Sequence, residues 1–272
     1  MNIDYIKNFI ETLWNDKNSN SLVPTEDNKK VINDIINLLD SGKIRIAEKI
    51  NDKWQVNEFA KKAVLLYFFF NKNITLEGSS LNHFDKVPLK TSNWSETEFT
   101  TAGFRIVPGS IVRKGAFISK NVVVMPSFIN IGAFIDENTM IDSMVTIGSC
   151  SQIGKNCHIS EGVGIGGVLE PLQANPVIVE DNCFIGAKSV IVEGAIISEG
   201  SVLAMGTQIG ASTTIIEKNS GKEYKGFVPP YSVVIPGSLK INDNLNKNCA
   251  IIIKKVDAQV RTKTQINELL RD

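Results

Sequence analysis

The chain has no excess of charge of either sign. Its 272 residues carry 29 Lys and Arg against 29 Asp and Glu, so the formal net charge is zero. No basic excess is available to attract nucleic acid or an anionic membrane. The longest strongly apolar stretch, residues 63–70, is far shorter than the roughly 20 residues that span a bilayer, and the first residues lack the basic start of a secretory signal. We therefore expect a cytoplasmic protein with neither nucleic acid nor a membrane as partner.

Cysteine and histidine are both scarce. The four cysteines contain no Cys-x-x-Cys pair and define neither a disulfide framework nor a zinc site, so we expect free thiols. The two histidines, His83 and His158, cannot build a three-histidine zinc site. The sequence therefore predicts no metal and no permanently bound cofactor.

A six-residue repeat dominates the middle of the chain. The first run of apolar positions is Ile111, Phe117, Val123, Ile129, Ile135, Ile141, Ile147, Ile153, Ile159 and Ile165, and the second is Val179, Ile185, Ile191, Ile197, Leu203, Ile209 and Ile215. Four residues after most of them stands a small residue, as at Gly115, Ser127, Ala133, Thr139, Ser151, Cys157, Cys183, Ser189, Ala195, Ser201, Thr207 and Thr213. Both positions point to one side of an extended strand. Three such units predict one coil of a parallel β-helix filled by stacked aliphatic side chains.

The segment 166–178 interrupts the repeat. It contains Pro171 and Pro176, which cannot pair in a central ladder, so it must leave the coil. A protruding loop of this kind is a natural wall for a site.

The flanks of the repeat have other periodicities. Apolar residues at helical spacing predict helices over 3–14, 31–39 and 57–70, with a short strand over 43–48. After the repeat, 250–253 is typical of a strand and 257–270 of a polar helix. The predicted fold class is mainly β, with an N-terminal α+β domain over 1–102, a parallel β-helix over 103–235 and a C-terminal strand and helix tail over 236–272.

The chain resembles the hexapeptide-repeat acyltransferases and, within them, the tetrahydrodipicolinate N-succinyltransferase family. The resemblance is nearly full length. It is carried by LLDSGKIRIAEK from Leu38, KKAVLL from Lys61, FDKVPLK from Phe84, GFRIVP from Gly103, NIGAFIDENTMID from Asn130, IGSCSQIGKN from Ile147, GVGIGGVLEPLQANP from Gly162, EDNCFIGA from Glu180 and KKVDAQVRTK from Lys254. The long segments outside the repeat narrow the resemblance, because the repeat alone also occurs in acetyltransferases and other enzymes.

The resemblance implies a left-handed coil, a homotrimer with sites between neighbouring prisms, and transfer of succinyl from succinyl-CoA to ring-opened tetrahydrodipicolinate in lysine and diaminopimelate biosynthesis. Succinyl-CoA is then a co-substrate. An acetyl-CoA-dependent enzyme acting on the same acceptor is the alternative, because the sequence does not identify a cation for the succinyl carboxylate.

Two residues are implied at the acceptor site. Asp142, in the motif MID, would meet the acceptor amine and act as catalytic residue, whereas the residues alone favour a corner Asp that accepts a backbone N–H. Arg105, in GFR, would bind the dicarboxylate through paired hydrogen bonds, its alternative being an interdomain ion pair.

The resemblance also implies a donor site. Pantetheine would lie near Gly186, Ala187, Ala204 and Gly206, where absent or small side chains permit close approach. Cations that could meet the CoA phosphates, or merely belong to a solvated terminal helix, are Lys254, Lys255, Arg261 and Lys263.

Two further positions bear on the mechanism. His158 precedes Ile159 and is expected to point outward, as a base or as an ordinary surface or interface histidine. Val190 stands where relatives often have a glutamate, so a second carboxylate is missing there unless Glu193 or water replaces it. Without a second carboxylate, we expect catalysis to depend on Asp142.

Overall fold

A computed structural model of the chain describes residues 3–77, 82–259 and 266–270. Three helices, α1 (Ile3–Asn18), α2 (Glu26–Asp40) and α3 (Glu58–Phe70), form the helical part of the N-terminal region, as the periodicity predicts. Thr25 caps α2 by accepting a hydrogen bond from the backbone N–H of Asn28. Their apolar faces meet in a core that includes Ile10, Ile35 and Val64, each fully buried.

Two hairpins and a short helix complete this region. The strand expected over 43–48 lies instead at Ala47–Ile50 and pairs with Lys53–Val56. Beyond the last pair of this hairpin, the backbone N–H of Asn57 donates to the carbonyl of Ile46 at 2.8 Å. A second hairpin pairs Ile74–Leu76 with His83–Asp85, and helix α4 (Glu96–Ala102) leads into the coil behind a capping box between Ser95 and Glu98.

The middle of the chain is a three-sided prism of short parallel strands. The first face contains Arg105–Ile106, Val123–Val124, Met140–Ile141, His158–Ile159, Phe184–Ile185, Val202–Leu203 and Ser232–Asn242. The second face contains Ile111–Val112, Phe128–Ile129, Thr146–Ile147, Gly164–Ile165, Val190–Ile191 and Gln208–Ile209. The third face contains Phe117–Ile118, Phe134–Ile135, Gln152–Ile153, Ile178–Val179, Ile196–Ile197 and Phe227–Val228. The predicted fold class, a β-helix with α+β and tail regions at its ends, is confirmed.

The inward row follows the predicted register from Ile129 onward, but not before it. Ile111 is 40% exposed, while its neighbour Val112 is buried, and the same holds for Ile118 and Val124. The prediction that Ile111, Phe117 and Val123 point inward is therefore wrong by one residue. The cause is a shorter corner at Pro126: Val124 and Ile129 are five positions apart along the chain, whereas the repeat has a step of six. Gly115 accordingly lies at a corner with φ +90°, and Ala116 fills the inner slot.

Many small residues that point into the coil are polar because they form hydrogen bonds with corner carbonyls. The Thr139 hydroxyl donates to the Gly154 carbonyl at 2.8 Å, Ser189 donates to Ala204 at 3.1 Å, and the Cys183 thiol lies 3.2 Å from the Ser198 carbonyl. Each partner is a corner carbonyl of the next coil that turns inward. A buried carbonyl without a partner costs free energy, so Ser, Thr and Cys at these slots satisfy the corners.

A ladder of asparagines lines the corner between the third and first faces. Asn121, Asn138, Asn156 and Asn182 all have φ between 53° and 61°, a left-handed conformation that Asn tolerates. Their side-chain amides bond from coil to coil at 3.1–3.2 Å. Asparagine therefore both adopts the left-handed backbone conformation of this corner and links successive coils by side-chain hydrogen bonds.

The interruption and the tail both pack on other elements. After Ile165 the chain leaves the coil until Ile178, and the Lys61 ammonium on α3 donates to the Ala174 carbonyl of this loop at 2.7 Å. The strand Ser232–Asn242 pairs with Leu245–Lys255, which is longer than the strand expected over 250–253. Helix α5 (Ile266–Leu269) places Leu269 against Val202 on the first face; part of the helix expected over 257–270 lies outside the described residues.

Candidate active site

One corner of the prism, between the first and second faces, brings the predicted acceptor residues together with several predicted donor residues. Its positions are linked by backbone hydrogen bonds from each coil to the next: Val107 to Val124, Met125 to Ile141, Asp142 to Ile159, Ser160 to Ile185, Gly186 to Leu203, and Ala204 to Val234. With coils about 4.8 Å apart, Asp142 lies about 10 Å from Gly186 and about 14 Å from Ala204 along this corner. We call this row of residues the site corner.

Asp142 is held at the site corner by two partners. Its Oδ1 accepts the backbone N–H of Ser143 at 2.7 Å, and its Oδ2 lies 3.6 Å from Nε2 of His158. The first contact is an ordinary corner bond, because Asn130 and Asp136 accept the following N–H in the same way. The side chain remains 31% exposed. One oxygen therefore builds the corner, while the other faces His158 and the surface.

The contact between Asp142 and His158 is not predicted from the sequence, although the length of one coil could have indicated it. A coil of three hexads places residues 18 apart side by side, so Met140 pairs with His158. The His158 ring points outward, as predicted, and packs at an angle on Phe184 with ring centroids 5.3 Å apart. A histidine that points outward beside Met140 therefore lies next to the corner at Asp142, which directly follows Ile141.

Arg105 lies at the start of the first face. Its side chain is exposed, and the guanidinium Nη2 lies 3.9 Å from the sulfur of Met125. Met125 precedes Asp142 by one coil on the site corner. Arg105 therefore contacts the coil that directly precedes Asp142. A guanidinium and a carboxylate on neighbouring coils suit a ligand with both a carboxylate and an amine.

The two predicted donor glycines, Gly186 and Gly206, have separate structural reasons for lacking a side chain. A Cβ at Gly186 would lie 2.5 Å from the backbone N of Met205, so the stacking of coils itself requires glycine there. Gly206 has φ +72°, and a Cβ there would meet open space. Its N–H donates to the carbonyl of Ala187 at 2.9 Å. The space beside the Gly206 Cα is thus open, while the role of all four residues toward CoA stays a prediction.

The two predicted phosphate cations lie at the far end of the first face. Lys254 pairs with Val233 in the hairpin register. Lys255 forms an ion pair with Glu217 at 3.1 Å and contacts the Tyr224 hydroxyl at 3.4 Å. Burial opposes the charged form, but these hydrogen bonds prevail and raise the pKa of Lys255 above its ordinary value. Arg261 and Lys263 lie outside the described residues.

Val190, the position at which the resemblance implies a glutamate in relatives, is part of the second face. Val190 is 38% exposed on the second face, between Gly164 and Gln208. Glu193, the nearest carboxylate in sequence, accepts the backbone N–H of Ala211 at 3.0 Å in the next coil. Glu193 therefore holds a corner of the prism.

Several alternative chemistries have no support in the described residues. Burial raises the pKa of Cys150 to about 12 and that of Cys183 well above its usual value, so neither thiol is a ready nucleophile. Within ranges 3–77, 82–259 and 266–270, no group of three or more His, Cys, Asp or Glu side chains is placed to hold a metal ion. No helix in this part of the chain has the length and apolarity to cross a membrane.

Three stretches of the chain match known families. Residues 5–70 match the tetrahydrodipicolinate N-succinyltransferase N-terminal family. Residues 132–167 match the bacterial transferase hexapeptide (six repeats), and residues 176–211 match the hexapeptide repeat of succinyl-transferase. The helical region and the coil on both sides of the loop are therefore each covered.

Curated relatives match over the whole chain. The 2,3,4,5-tetrahydropyridine-2,6-dicarboxylate N-succinyltransferase of Parvibaculum lavamentivorans is 53% identical over 281 residues, covering 100% of both chains. The protein of the same name from Methylorubrum populi is 53% identical over 96% of both chains, and that from Neisseria gonorrhoeae is 54% identical over 98% of both chains.

A solved structure supports the fold. The crystal structure of a 2,3,4,5-tetrahydropyridine-2-carboxylate N-succinyltransferase from Campylobacter jejuni matches with a TM-score of 0.55 at 18% identity, over 82% of this chain and 62% of that chain. At this identity the likeness concerns the fold alone. The identity to the curated relatives extends over nearly all of both chains, and the chain belongs to the 2,3,4,5-tetrahydropyridine-2,6-dicarboxylate N-succinyltransferase family.

Proposed function

We propose that this chain transfers the succinyl group of succinyl-CoA to the amino group of ring-opened tetrahydrodipicolinate, a step of lysine and diaminopimelate biosynthesis. The observation that carries the proposal is the 53% identity to proteins of that name over 96–100% of both chains. The acetyl-CoA alternative has no comparable support, because these relatives are named as succinyltransferases.

The acceptor is assigned to the N-terminal end of the site corner, at Arg105 and Asp142. Arg105 would bind a carboxylate of the dicarboxylate, and Asp142 would hold the ammonium. Its Oδ2 remains available for this, since the Ser143 N–H occupies Oδ1. The two groups have opposite charges, and Arg105 contacts Met125, which lies one coil before Asp142; this supports a ligand that carries both charges.

The donor is assigned to the next coils of the same corner. Pantetheine would pass Gly186, Ala187, Ala204 and Gly206, since the space beside the Gly206 Cα is open. The phosphates would then lie toward Lys254 and Lys255 at the end of the first face. Binding at Lys255 requires that it exchange Glu217 for phosphate, because the two side chains are paired at 3.1 Å.

The reaction follows from these positions. Asp142 removes a proton from the ammonium, and the free amine attacks the thioester carbonyl of succinyl-CoA. The new C–N bond forms as the C–S bond breaks, and CoA leaves as its thiol after taking the second nitrogen proton. The products are an N-succinyl amino acid and free CoA.

The working unit is assigned as a homotrimer with sites between neighbouring prisms. Exposed apolar side chains support a contact along the site corner and second face: Met144 and Met205 are each 70% exposed, and Ile111 and Val190 about 40%. Large apolar side chains that are exposed in a single chain can be covered at an interface between chains.

A thiol-release assay tests the proposal directly. With tetrahydrodipicolinate as acceptor, succinyl-CoA should release CoA thiol, and acetyl-CoA should be turned over at least about 10²-fold less efficiently, as expected when a site that binds the donor carboxylate is left unfilled. Equal rates with both donors would favour the acetyltransferase alternative. Absence of acceptor-dependent thiol release with either donor would contradict the proposal.

A further inference from the structure

A cavity lies where the first hairpin of the N-terminal region meets the coil, at the corner between the third and first faces. Its volume is about 240 Å³, far more than the roughly 10–15 Å³ that a single water needs. The charged side chains of its wall include Arg45 and Lys49 from the N-terminal region and Asp136, Asp181 and Glu199 from the coil. We call it the junction cavity; the site corner lies at a different edge of the prism.

Arg45 enters this cavity with most of its hydrogen-bond donors unused. Its Cζ lies 3.6 Å from the centroid of the Phe134 ring, and its Nε donates to Oε1 of Gln152 at 3.1 Å. A guanidinium has five N–H donors, and among the described residues the Nη atoms of Arg45 have neither a hydrogen-bond partner nor an ion pair. Burial lowers the pKa of Arg45, although the charge of Asp136 at longer range opposes this. A carboxylate on a ligand would suit these donors, because it can accept two parallel hydrogen bonds.

The carboxylates of the cavity each use one oxygen to hold the coil. Oδ1 of Asp136 accepts the backbone N–H of the next residue at 2.8 Å. Oδ1 of Asp181 accepts the backbone N–H of Lys155 at 2.8 Å, and Oε1 of Glu199 accepts the Tyr231 hydroxyl at 3.0 Å. Within the described part of the chain, the second oxygen of each carboxylate has no hydrogen-bond partner. These oxygens can therefore accept hydrogen bonds from an ammonium group.

The balance of charge in the cavity favours a cationic ligand. Lys49 and Glu180, which also line it, contact each other at 2.9 Å and neutralise one another. Arg45 then faces three carboxylates, so the lining carries two more negative than positive charges. This excess repels phosphates and other polyanions, and no group of three carboxylates in ranges 3–77, 82–259 and 266–270 is placed to hold a metal ion. An organic ligand with one carboxylate and two ammonium groups matches this lining.

The charged groups follow one another along the prism. Arg45 contacts Phe134 and Gln152, which pair on neighbouring coils of the third face. The next two coils carry Asp181 and Glu199 at the same corner. At about 4.8 Å per coil, these two carboxylates lie about 5–10 Å beyond Gln152 along the prism. A chain of about four methylenes spans about 6 Å and can reach from Arg45 toward them.

We infer that the junction cavity binds a basic amino acid, with its carboxylate at Arg45, its α-ammonium at Asp136 and its side-chain ammonium between Asp181 and Glu199. This inference does not depend on the function proposed above, because none of these residues belongs to the acceptor or donor positions. The ligand would contact both the N-terminal region and the coil. Binding should therefore stabilise the docked arrangement of the two regions.

Calorimetric titration of the full-length protein with L-lysine tests the inference. One molecule should bind per chain. Cadaverine lacks the carboxylate that would meet Arg45, and norleucine lacks the ammonium that would meet Asp181 and Glu199. Each of these analogues should bind at least about tenfold more weakly, because a charge-assisted contact is lost.

Two substitutions locate the ligand. Arg45→Met keeps an unbranched apolar chain beside Phe134 but removes the guanidinium, and Asp181→Asn keeps an oxygen for the Lys155 N–H but removes the charge. Both should weaken L-lysine binding at least about tenfold. Arg105→Met is the matched control, because it makes the same chemical change at the proposed acceptor site and should leave the affinity for L-lysine unchanged.

The contrary outcomes are distinct. Absence of binding up to about 10 mM L-lysine would overturn the inference, since it leaves less than about 3 kcal/mol of affinity. Equal affinity for cadaverine or norleucine would overturn the class of ligand. Binding that survives Asp181→Asn but is lost in Arg105→Met would place lysine in the acceptor site and overturn the location, and Asp181→Asn decides this even if Arg45→Met does not fold. Succinyl transfer is measured separately by thiol release, so its failure is distinguishable from each of these results.

Discussion

The indole Nε1 of Trp54 donates a 2.8 Å hydrogen bond to Oε1 of Glu180, joining a hairpin of the N-terminal region to a corner of the coil. The same oxygen accepts Lys49 Nζ at 2.9 Å, and Oε2 accepts the backbone N–H of Glu199 at 3.1 Å. The Glu180 side chain is only 11% exposed. This carboxylate therefore anchors the helical region to the prism.

The anchor predicts a pH-dependent stability. Burial alone would raise the pKa of Glu180, but the bonds from Lys49, Trp54 and the Glu199 N–H prevail and lower it. A lowered folded-state pKa stabilises the protein above the ordinary carboxyl pKa, and this contribution disappears as the pH falls through the lowered value. Glu180→Gln should cost about 2 kcal/mol at pH 7, and the difference from wild type should shrink below about pH 4.

Denaturant unfolding at several pH values checks this prediction. Glu161→Gln is the control, because Glu161 pairs with Lys188 on the surface with side chains 48% and 60% exposed and should cost under about 0.5 kcal/mol. A cost for Glu180→Gln that does not change between pH 7 and pH 3 would show that the anchor is not electrostatic.

The register at the start of the coil predicts a contrast between neighbours. Val112→Ala removes two buried methyl groups and should cost about 2 kcal/mol, including the cavity left behind. Ile111→Ala alters a side chain that is 40% exposed and should cost well under about 1 kcal/mol in a single chain. Equal losses of unfolding free energy for the two variants, measured in urea, would contradict this register and favour one in which Ile111 points inward.

The acceptor assignment predicts a selective binding defect. Arg105→Ala should weaken tetrahydrodipicolinate binding by about 2–3 kcal/mol, roughly 30- to 150-fold, because a charge-assisted contact is lost. Binding of succinyl-CoA should change little. Calorimetry with each ligand separately measures both, and Lys120→Ala, at an exposed cation nearby, is the matched control. A loss confined to succinyl-CoA would move Arg105 to the donor site.

The trimer assignment predicts a mass of about 90 kDa in solution, three times the 29.9 kDa chain. Light scattering coupled to size exclusion measures it, and the Met144→Glu substitution should lower both mass and activity because it places a charge in the proposed interface. A fully active species near 30 kDa would contradict a site formed between chains.

Most of the prism could be predicted because its core has a strict period. From Ile129 to Ile215 each inward aliphatic is buried, since one strand and one corner repeat without change. Before Ile129 the pattern is ambiguous, because each strand begins with two adjacent apolar residues, as in Ile111 and Val112. The shorter corner at Pro126 then decides which of the two is inside, and period alone does not reveal it.

The site was less accessible to sequence reasoning. Asp142 and Arg105 came from a family resemblance, and their roles stay predictions. The contact of Asp142 with His158 depends on how successive coils stack, with Met140 beside His158, and not on neighbours within one hexad. The link between Trp54 and Glu180 depends on how two regions dock across 126 residues of chain, and no local pattern encodes that.

The central claim is that Asp142 takes the proton of the acceptor amine, and Asp142→Asn tests it most directly. The amide keeps the shape and an oxygen for the Ser143 N–H, so the melting temperature and CoA binding should stay near wild type. With saturating succinyl-CoA and acceptor, kcat should fall about 10²- to 10⁴-fold. A kcat within about threefold of wild type, with or without a loss of about 1 kcal/mol in stability, would reduce Asp142 to a corner residue and contradict the account.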